Sequence, residues 1–264
     1  MTAHPSPDQA TSLIAADRQP HLKPQPLGSC APRTRIKICG LTREQDVDAA
    51  VEAGADAVGF VMYPKSPRYV TPQRAAALAR RLPPFVTPVL LFVNEEESKI
   101  VANSDHFTLG MLQFHGDESP ARCEMAARAC RRSWLRAARI PLNEAATFDL
   151  VKFAADYSQA QAILLDAHVE GFGGGGKTFN WSLLPPSVNA HLVLSGGLTP
   201  ANVAEGILQV RPRGLSLAVD VSSGVEADGP DGSPLKGIKD PQKIHQFVAA
   251  VRAADQQLAE KYHV

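Results

Sequence analysis

A single cysteine near the start of the chain follows a pattern typical of catalytic side chains in parallel-sheet enzymes. Residues 35–42 (RIKICGLT) predict a strand that ends at Cys39, is broken by Gly40, and is followed by Thr42, which can cap a helix. Side chains alternate along a strand, so Lys37 and Cys39 share a face. A thiol near a cation ionises more readily than a buried structural thiol. Cys39 is therefore a candidate reactive thiol; the alternative is a small apolar filler.

A carboxylate ends a later predicted strand. Ile163-Leu164-Leu165 runs directly into Asp166. If both strands belong to one barrel, Cys39 and Asp166 lie on the same rim. A base on one side of a substrate and an acid on the other is suited to an isomerisation that moves protons. The alternative role for Asp166 is to cap a helix or loop.

Two late loops have the composition of a phosphate site. Residues 194–203 (LSGGLTPANV) and 218–226 (AVDVSSGVE) follow the last two predicted strands. Glycine lets backbone N–H groups approach an anion closely, and helix N-termini attract negative charge. The alternative is a pair of ordinary tight turns. The predicted phosphate ligands are Gly196, Gly197, Ser222, Ser223 and Gly224.

Two further side chains follow predicted strands. Arg68 lies between turn residues in segment 63–70 (YPKSPRYV) and could bind a carboxylate through its guanidinium fork. It could equally belong to a solvated basic loop. His115 follows Gln113-Phe114 and could line the same pocket or only satisfy a backbone group.

Segment 171–178 (GFGGGGKT) matches the phosphate-binding loop of nucleotide-binding proteins. That loop requires a strand leading directly into it and a long helix leaving it, whereas residues 166–170 intervene before it and Pro185-Pro186 end any helix soon after it. We therefore interpret the segment as a lid over the barrel mouth, with Lys177 available to an anionic substrate. The predicted lid residues are Gly174, Gly175, Gly176 and Lys177.

Composition limits the class of protein. The chain has 264 residues, is 44% hydrophobic, and balances 27 basic against 27 acidic residues. These values predict a sizeable core, no nucleic-acid partner and no membrane partner, and no apolar run is long enough to cross a bilayer. Its four cysteines form no C-x-x-C pair, which predicts reduced thiols and a cytoplasmic protein. Cys123 and Cys130 are expected to be core filler.

The elements that would position these residues alternate along the chain. Residues 1–33 are rich in proline and are expected to form an N-terminal extension that is disordered or loosely docked. Residues 34–264 alternate strands and helices, which predicts a single (β/α)₈ TIM barrel, an α/β fold; an open doubly wound sheet is the alternative. The predicted strands are 34–39, 55–61, 88–92, 109–114, 133–138, 161–165, 192–195 and 214–219. The predicted helices are 43–53, 72–81, 95–103, 120–129, 143–156, a short one near 181–184, 200–208 and 241–260.

Seven motifs in order resemble the phosphoribosylanthranilate isomerase family of tryptophan biosynthesis. They cover most of the chain from Thr34 to Ala254, and each is weak alone. They are Lys37 to Thr42, Gly59-Phe60 with Ser66 to Tyr69, Gln113 to Gly116, Leu164 to Asp166, Gly176 to Phe179 with Trp181, Ser195 to Leu198, and Asp220 to Glu226.

The resemblance implies a cofactor-free, metal-free Amadori rearrangement of a phosphosugar, the conversion of N-(5′-phosphoribosyl)anthranilate to 1-(o-carboxyphenylamino)-1-deoxyribulose 5-phosphate. It makes Asp166 the general acid and Cys39 the general base. It places Arg68 at the anthranilate carboxylate and counts His115 and Asp220 among the substrate-binding residues. The resemblance also implies that the backbone around Gly197 and at Ser223-Gly224 binds the phosphate. The protein is expected to be a monomer or a homodimer.

Two departures and two rivals remain. The family commonly has a hydroxyl residue where this chain has Ala167, and an aspartate where it has Asn180, which can still cap a helix. Segment 229–236 matches no family motif. The enzymatic rivals are barrels of the indoleglycerol-phosphate synthase or ProFAR isomerase type, which use other acid and base sets. The rival from another class is a non-catalytic barrel that binds phosphosugars.

Overall fold

A computed structural model describes residues 33–143, 148–168 and 178–262. The predicted extension falls almost wholly outside these ranges, so its boundary at residue 34 stays a prediction. The predicted lid residues Gly174, Gly175, Gly176 and Lys177 also lie outside the described residues.

The described strands confirm the predicted barrel. Eight parallel strands are hydrogen-bonded in chain order, and the last pairs with the first to close the ring. Each differs from its predicted bounds by no more than two residues at either end. They are β1 (Arg35–Cys39), β2 (Ala57–Val61), β3 (Thr87–Phe92), β4 (Met111–Phe114), β5 (Trp134–Ile140), β6 (Ala162–Ala167), β7 (His191–Leu194) and β8 (Ser216–Val221).

Helices cross between these strands and begin where local chemistry favours it. Thr71 and Ser119 each accept a hydrogen bond from the backbone N–H three residues later, and a proline follows each of them at the first helical position. The helices are α1 (Glu44–Glu52), α2 (Pro72–Ala79), α3 (Glu97–Ser104), α4 (Pro120–Cys130), α5 (Leu150–Asp156), α6 (Val203–Val210) and α7 (Pro241–Tyr262).

The alternation of side chains along each strand divides the core into two layers. Ile36 and Ile38 of β1 pack with the surrounding helices in the larger apolar cluster. A smaller cluster consists only of strand residues, such as Leu164 and Val193, and fills the inside of the barrel. Lys37 and Cys39 alternate with Ile36 and Ile38, and Asp166 shares the face of Leu164, so these polar residues are directed into the barrel.

Two local expectations, on Thr42 and on the start of α5, were wrong, and one segment without an expected structure is now defined. Thr42 does not cap α1: its hydroxyl donates to the Gly237 carbonyl, 2.6 Å away, and Arg43 occupies the cap position. Segment 229–236, which resembled nothing, belongs to an antiparallel hairpin of β9 (Glu226–Asp228) and β10 (Pro234–Lys239). Helix α5 begins at Leu150, although residue 143 was the predicted start and 144–147 lie outside the described residues.

The segment after the glycine-rich stretch does not form the long helix that a nucleotide loop needs. It forms a 3₁₀-helix at Trp181–Leu183, capped by Asn180, whose side-chain oxygen accepts from the Ser182 N–H. This agrees with rejecting the nucleotide-binding interpretation. In the described part of the chain, no helix is both long enough and apolar enough to cross a membrane.

Candidate active site

Cys39 is the last residue of β1, and its thiol lies over a glycine of the neighbouring strand. Cys39 is paired in register with Gly59 of β2 and is only 4% exposed. A Cβ at residue 59 would stand 2.5 Å from Cys39 Sγ and 3.1 Å from Lys37 Cε. Residue 59 must therefore be glycine for the thiol and the lysine to occupy these positions.

The charge next to this thiol comes from an ion pair between the first and last strands of the barrel. Lys37 Nζ lies 2.8 Å from Asp220 Oδ1, both side chains are buried, and the two residues are partners in the β1–β8 register. Burial alone would lower the pKa of Lys37, but Asp220 and then Cys39 outweigh burial and raise it. Lys37 is therefore a fixed positive charge beside Cys39.

Burial is the main influence on the thiol itself. It raises the pKa of Cys39, Lys37 opposes that increase, and Asp220 adds to it. The free thiol is therefore mainly protonated at neutral pH, and Lys37 is the principal group that favours the thiolate. The sequence could not set the balance between burial and Lys37, and here burial has the larger effect on the pKa of Cys39.

Asp166 has two hydrogen-bond partners at the end of β6. Its Oδ2 lies 2.9 Å from His115 Nε2, and its Oδ1 accepts from the Ala167 N–H at 2.9 Å. His115 Nδ1 in turn lies 3.0 Å from Gln113 Nε2. All three side chains are buried. His115 thus contacts the carboxylate of Asp166 and does not merely satisfy a backbone group.

Arg68 is buried and does not belong to a solvated loop. Its Nε and Nη2 donate to the two carboxylate oxygens of Glu226, at 2.7 and 2.8 Å. Glu226 also accepts from Lys239 Nζ at 3.3 Å and from the Gly237 N–H at 2.8 Å. Burial favours the neutral form of Glu226, but Arg68 and Lys239 outweigh burial and lower its pKa. The carboxylate is therefore ionised and fixes Arg68.

Lys239 also connects the hairpin to the predicted phosphate loop. Its Nζ donates to the Ser222 carbonyl at 2.8 Å and lies 3.3 Å from Ser222 Oγ. Burial lowers the pKa of Lys239 to about 8, with Arg68 acting in the same direction and Glu226 opposing it. Lys239 places a positive charge directly behind the loop predicted to bind phosphate.

The two glycine-containing loops after β7 and β8 lie against each other. Gly196 and Gly197 have positive φ angles of 77° and 65°. A Cβ on Gly224 would collide with the Leu198 carbonyl oxygen, so this contact between the loops needs glycine. A short 3₁₀-helix begins at Ser223, and the first N–H groups of such a helix have no partner within it. The geometry suits an anion.

One cavity brings most of the predicted site together at the carboxyl ends of the strands. Of the predicted residues, Gly224 does not line this cavity, and the lid residues lie outside the described ranges. The predicted residues that line it are Cys39, Arg68, His115, Asp166, Gly196, Gly197, Asp220, Ser222 and Ser223.

Four residues that line the cavity or contact residues lining it had no role predicted from the sequence: Gly59, Gln113, Glu226 and Lys239. Gly59, Gln113 and Glu226 stood inside the resembling motifs without a function of their own. No sequence motif pointed to Lys239, because it follows segment 229–236, which matches no motif of the family.

The chain is a closed parallel (β/α)₈ barrel with a thiol and a carboxylate at the same mouth, beside paired glycine loops, which is where enzymes of this fold carry their active sites. The family model described as N-(5'phosphoribosyl)anthranilate (PRA) isomerase matches residues 36–250. The chain belongs to this family, as the motifs predicted.

Named relatives agree with the family. The N-(5′-phosphoribosyl)anthranilate isomerase of Methylibium petroleiphilum is 59% identical over 227 residues, 86% of this chain and 98% of its own. The crystal structure of the Thermotoga maritima enzyme is 43% identical with a TM-score of 0.70, covering 83% of this chain and 99% of its own.

A second crystal structure is that of a phosphoribosyl anthranilate isomerase in complex with reduced 1-(o-carboxyphenylamino)-1-deoxyribulose 5-phosphate. It is 39% identical with a TM-score of 0.68 and has the same coverage.

Proposed function

We propose that the chain converts N-(5′-phosphoribosyl)anthranilate to 1-(o-carboxyphenylamino)-1-deoxyribulose 5-phosphate, in tryptophan biosynthesis. The observation that carries this proposal is that Cys39 and Asp166 line one cavity that has cationic or N–H-rich groups at two separate places. A similar enzyme has been crystallised with the reduced form of this product.

The two anionic groups of the substrate would orient it. The loops around Gly197 and Ser223 suit the phosphate, with the Lys239 charge behind them. Arg68 suits the anthranilate carboxylate: Glu226 occupies its Nε and Nη2, and the Nη1 edge has no hydrogen bond among the described residues. Fixing both ends places the sugar between the acid and the base.

The first step opens the ring. Asp166 gives its proton to the furanose oxygen as the C1′–O bond breaks, and the lone pair of the amine nitrogen forms the C1′=N bond of an imine. The resulting Asp166 carboxylate accepts hydrogen bonds from His115 and from the Ala167 N–H.

The second step moves a proton from carbon. The Cys39 thiolate removes the C2′ proton, the C–H electron pair forms C1′=C2′, and the imine π pair returns to nitrogen. The enolamine then becomes the ketone as C1′ gains a proton and the C2′ hydroxyl releases one. Cys39 must be reduced for this step, which suits a cytoplasmic location.

The test is turnover of freshly generated phosphoribosylanthranilate by the wild type, Cys39→Ser and Asp166→Asn. Each variant is expected to lose about 10²–10⁴ in rate. Cys130→Ser, a substitution of the half-buried cysteine in α4, is the matched control and should keep full activity.

Full turnover by Cys39→Ser would move the base to another group. No turnover by a folded wild type that still binds inorganic phosphate would favour the non-catalytic phosphosugar-binding barrel.

We also propose that the protein is a homodimer. Phe85 is 99% exposed and has a φ of 75°, and Leu109 is 75% exposed. They precede β3 and β4, which are neighbours, so both are at the barrel end opposite the cavity. The Thermotoga maritima enzyme is dimeric. Sedimentation should give a dimer that Phe85→Ser weakens; a monomeric wild type would contradict this.

A further inference from the structure

Gln113 is a buried polar residue without an assigned role. It lies on β4, is paired in register with Leu91 and Leu135, and is 0% exposed. Its side chain lines the cavity and contacts His115 Nδ1. A buried amide among apolar neighbours is costly unless its hydrogen bonds are specific.

The orientation of this amide decides which nitrogen of His115 carries the proton. With Gln113 Nε2 towards His115, the amide donates, so Nδ1 must be an acceptor and the neutral ring carries its hydrogen on Nε2. Gln113 Oε1 then has no partner within the described ranges. The reversed amide would leave an NH₂ group there instead. An unsatisfied carbonyl oxygen is better tolerated than an unsatisfied N–H donor, which favours the first orientation.

We propose that Gln113 is a positioning residue that holds His115 in the Nε2–H tautomer, so that His115 always donates to Asp166. This inference rests on the proposed function and on Asp166 as its acid. His115 Nε2 then points a hydrogen at Asp166 Oδ2, and Ala167 N–H points one at Oδ1.

Two consequences follow for the proton of Asp166. It cannot be held in a hydrogen bond to His115, because that nitrogen has no free lone pair. It is therefore directed to the cavity, where the ring oxygen would bind. Once it has been transferred, the carboxylate keeps two donors that were already in place, and preorganised donors stabilise developing charge without rearrangement.

The direct test reads the tautomer by ¹⁵N NMR of histidine-labelled protein, with the His115 signals assigned by their loss in His115→Gln. The wild type should show an acceptor Nδ1 and a protonated Nε2. When it is ionised, the glutamate of Gln113→Glu offers only acceptor oxygens of similar shape, so it should place a proton on Nδ1. We expect kcat for phosphoribosylanthranilate to fall by about 10²-fold, within the range of general acid catalysis, with little change in KM.

Gln113→Met is the second variant, because it removes the hydrogen bond while keeping the shape of the chain. It should leave the two tautomers mixed and lower kcat less than Gln113→Glu does. Thermal unfolding and binding of inorganic phosphate check that each variant is folded.

Three results would overturn the inference. They are an Nδ1–H tautomer in the wild type, a changed tautomer with unchanged kcat, and a reduced kcat with an unchanged tautomer. The wild-type spectrum needs no turnover, so failure of the proposed isomerase activity would be seen separately in the wild-type assay.

Discussion

Arg68 and Glu226 form a buried, bidentate ion pair between the loop after β2 and the first residue of the hairpin. The two N···O distances are 2.7 and 2.8 Å, and the Glu226 side chain is fully buried. The pair fixes one edge of the guanidinium, and the Nη1 edge, proposed to bind the substrate carboxylate, has no hydrogen bond among the described residues. The hairpin is therefore part of the site, although it contributes no group to the proposed proton transfers.

Glu226→Gln should destabilise the protein and weaken substrate binding. Arg68 and Lys239 would be left as buried cations without their carboxylate, and breaking a buried pair costs about 3–5 kcal/mol. We expect denaturant unfolding to show such a loss and KM to rise more than kcat falls. Asp228→Asn is the control, because Asp228 lies on the same strand as Glu226 but forms a more exposed ion pair, with Lys243 of α7. Its loss should change stability by about 1 kcal/mol or less. Equal effects of the two substitutions would contradict the role of Glu226.

Gly59→Ala should displace the thiol. The new Cβ would stand 2.5 Å from Cys39 Sγ, and a misplacement of about 1 Å can cost 10²-fold in rate. Turnover measures the loss. The double variant Gly59→Ala/Cys39→Ala removes the thiol and should recover part of the lost unfolding free energy relative to the two single variants. Strict additivity of the two stability changes would show that the thiol and residue 59 do not touch.

Lys37→Met should make Cys39 harder to ionise. Lys37 opposes the burial that raises the pKa of Cys39, and its loss also leaves Asp220 unpaired nearby. The alkylation rate against pH should therefore shift to higher pH than in the wild type, with Cys30 and Cys130 replaced by serine in both. An unchanged dependence of the alkylation rate on pH would show that Lys37 is not the charge that favours the thiolate.

Lys239 should make stability depend on pH in the alkaline range. Its pKa is about 8 in the folded protein against a reference of 10.5. Between these values the unfolded chain binds a proton that the folded chain does not, so the free energy of unfolding should rise with pH, by up to about 1.4 kcal/mol per unit.

The measurement is the difference in slope between the wild type and Lys239→Met. Cys39 acts in the opposite direction above pH 9, and loss of Lys239 would raise the pKa of Cys39 further, so the slopes are compared between pH 8 and pH 9. Parallel slopes would mean that the pKa of Lys239 is not lowered in the folded protein.

The local sequence pattern was sufficient to predict which face of a strand each side chain occupies. It was insufficient to predict which side chains meet across the barrel. Alternation placed Lys37 and Cys39 on one face, and the run before Asp166 placed it at a strand end. Both expectations hold in the structure. Arg68 and Glu226, however, are 158 residues apart, and no periodicity shows which carboxylate an arginine in the loop after β2 will contact. The same is true of Asp166 and His115, because the barrel closure and not the local sequence brings β4 and β6 to one mouth.

The register of Lys37 opposite Asp220 also determines when, during synthesis of the chain, the site can assemble. These partners are separated by 183 residues, and they belong to the strands whose pairing closes the ring. A ribosome makes β1 first and β8 near the end. Lys37, the charged neighbour of Cys39, therefore has no ion-pair partner until almost the whole chain has been synthesised. A nascent or truncated chain that lacks β8 would carry Lys37 without its counter-ion. The ion pair beside the thiol therefore forms only when the ring has closed.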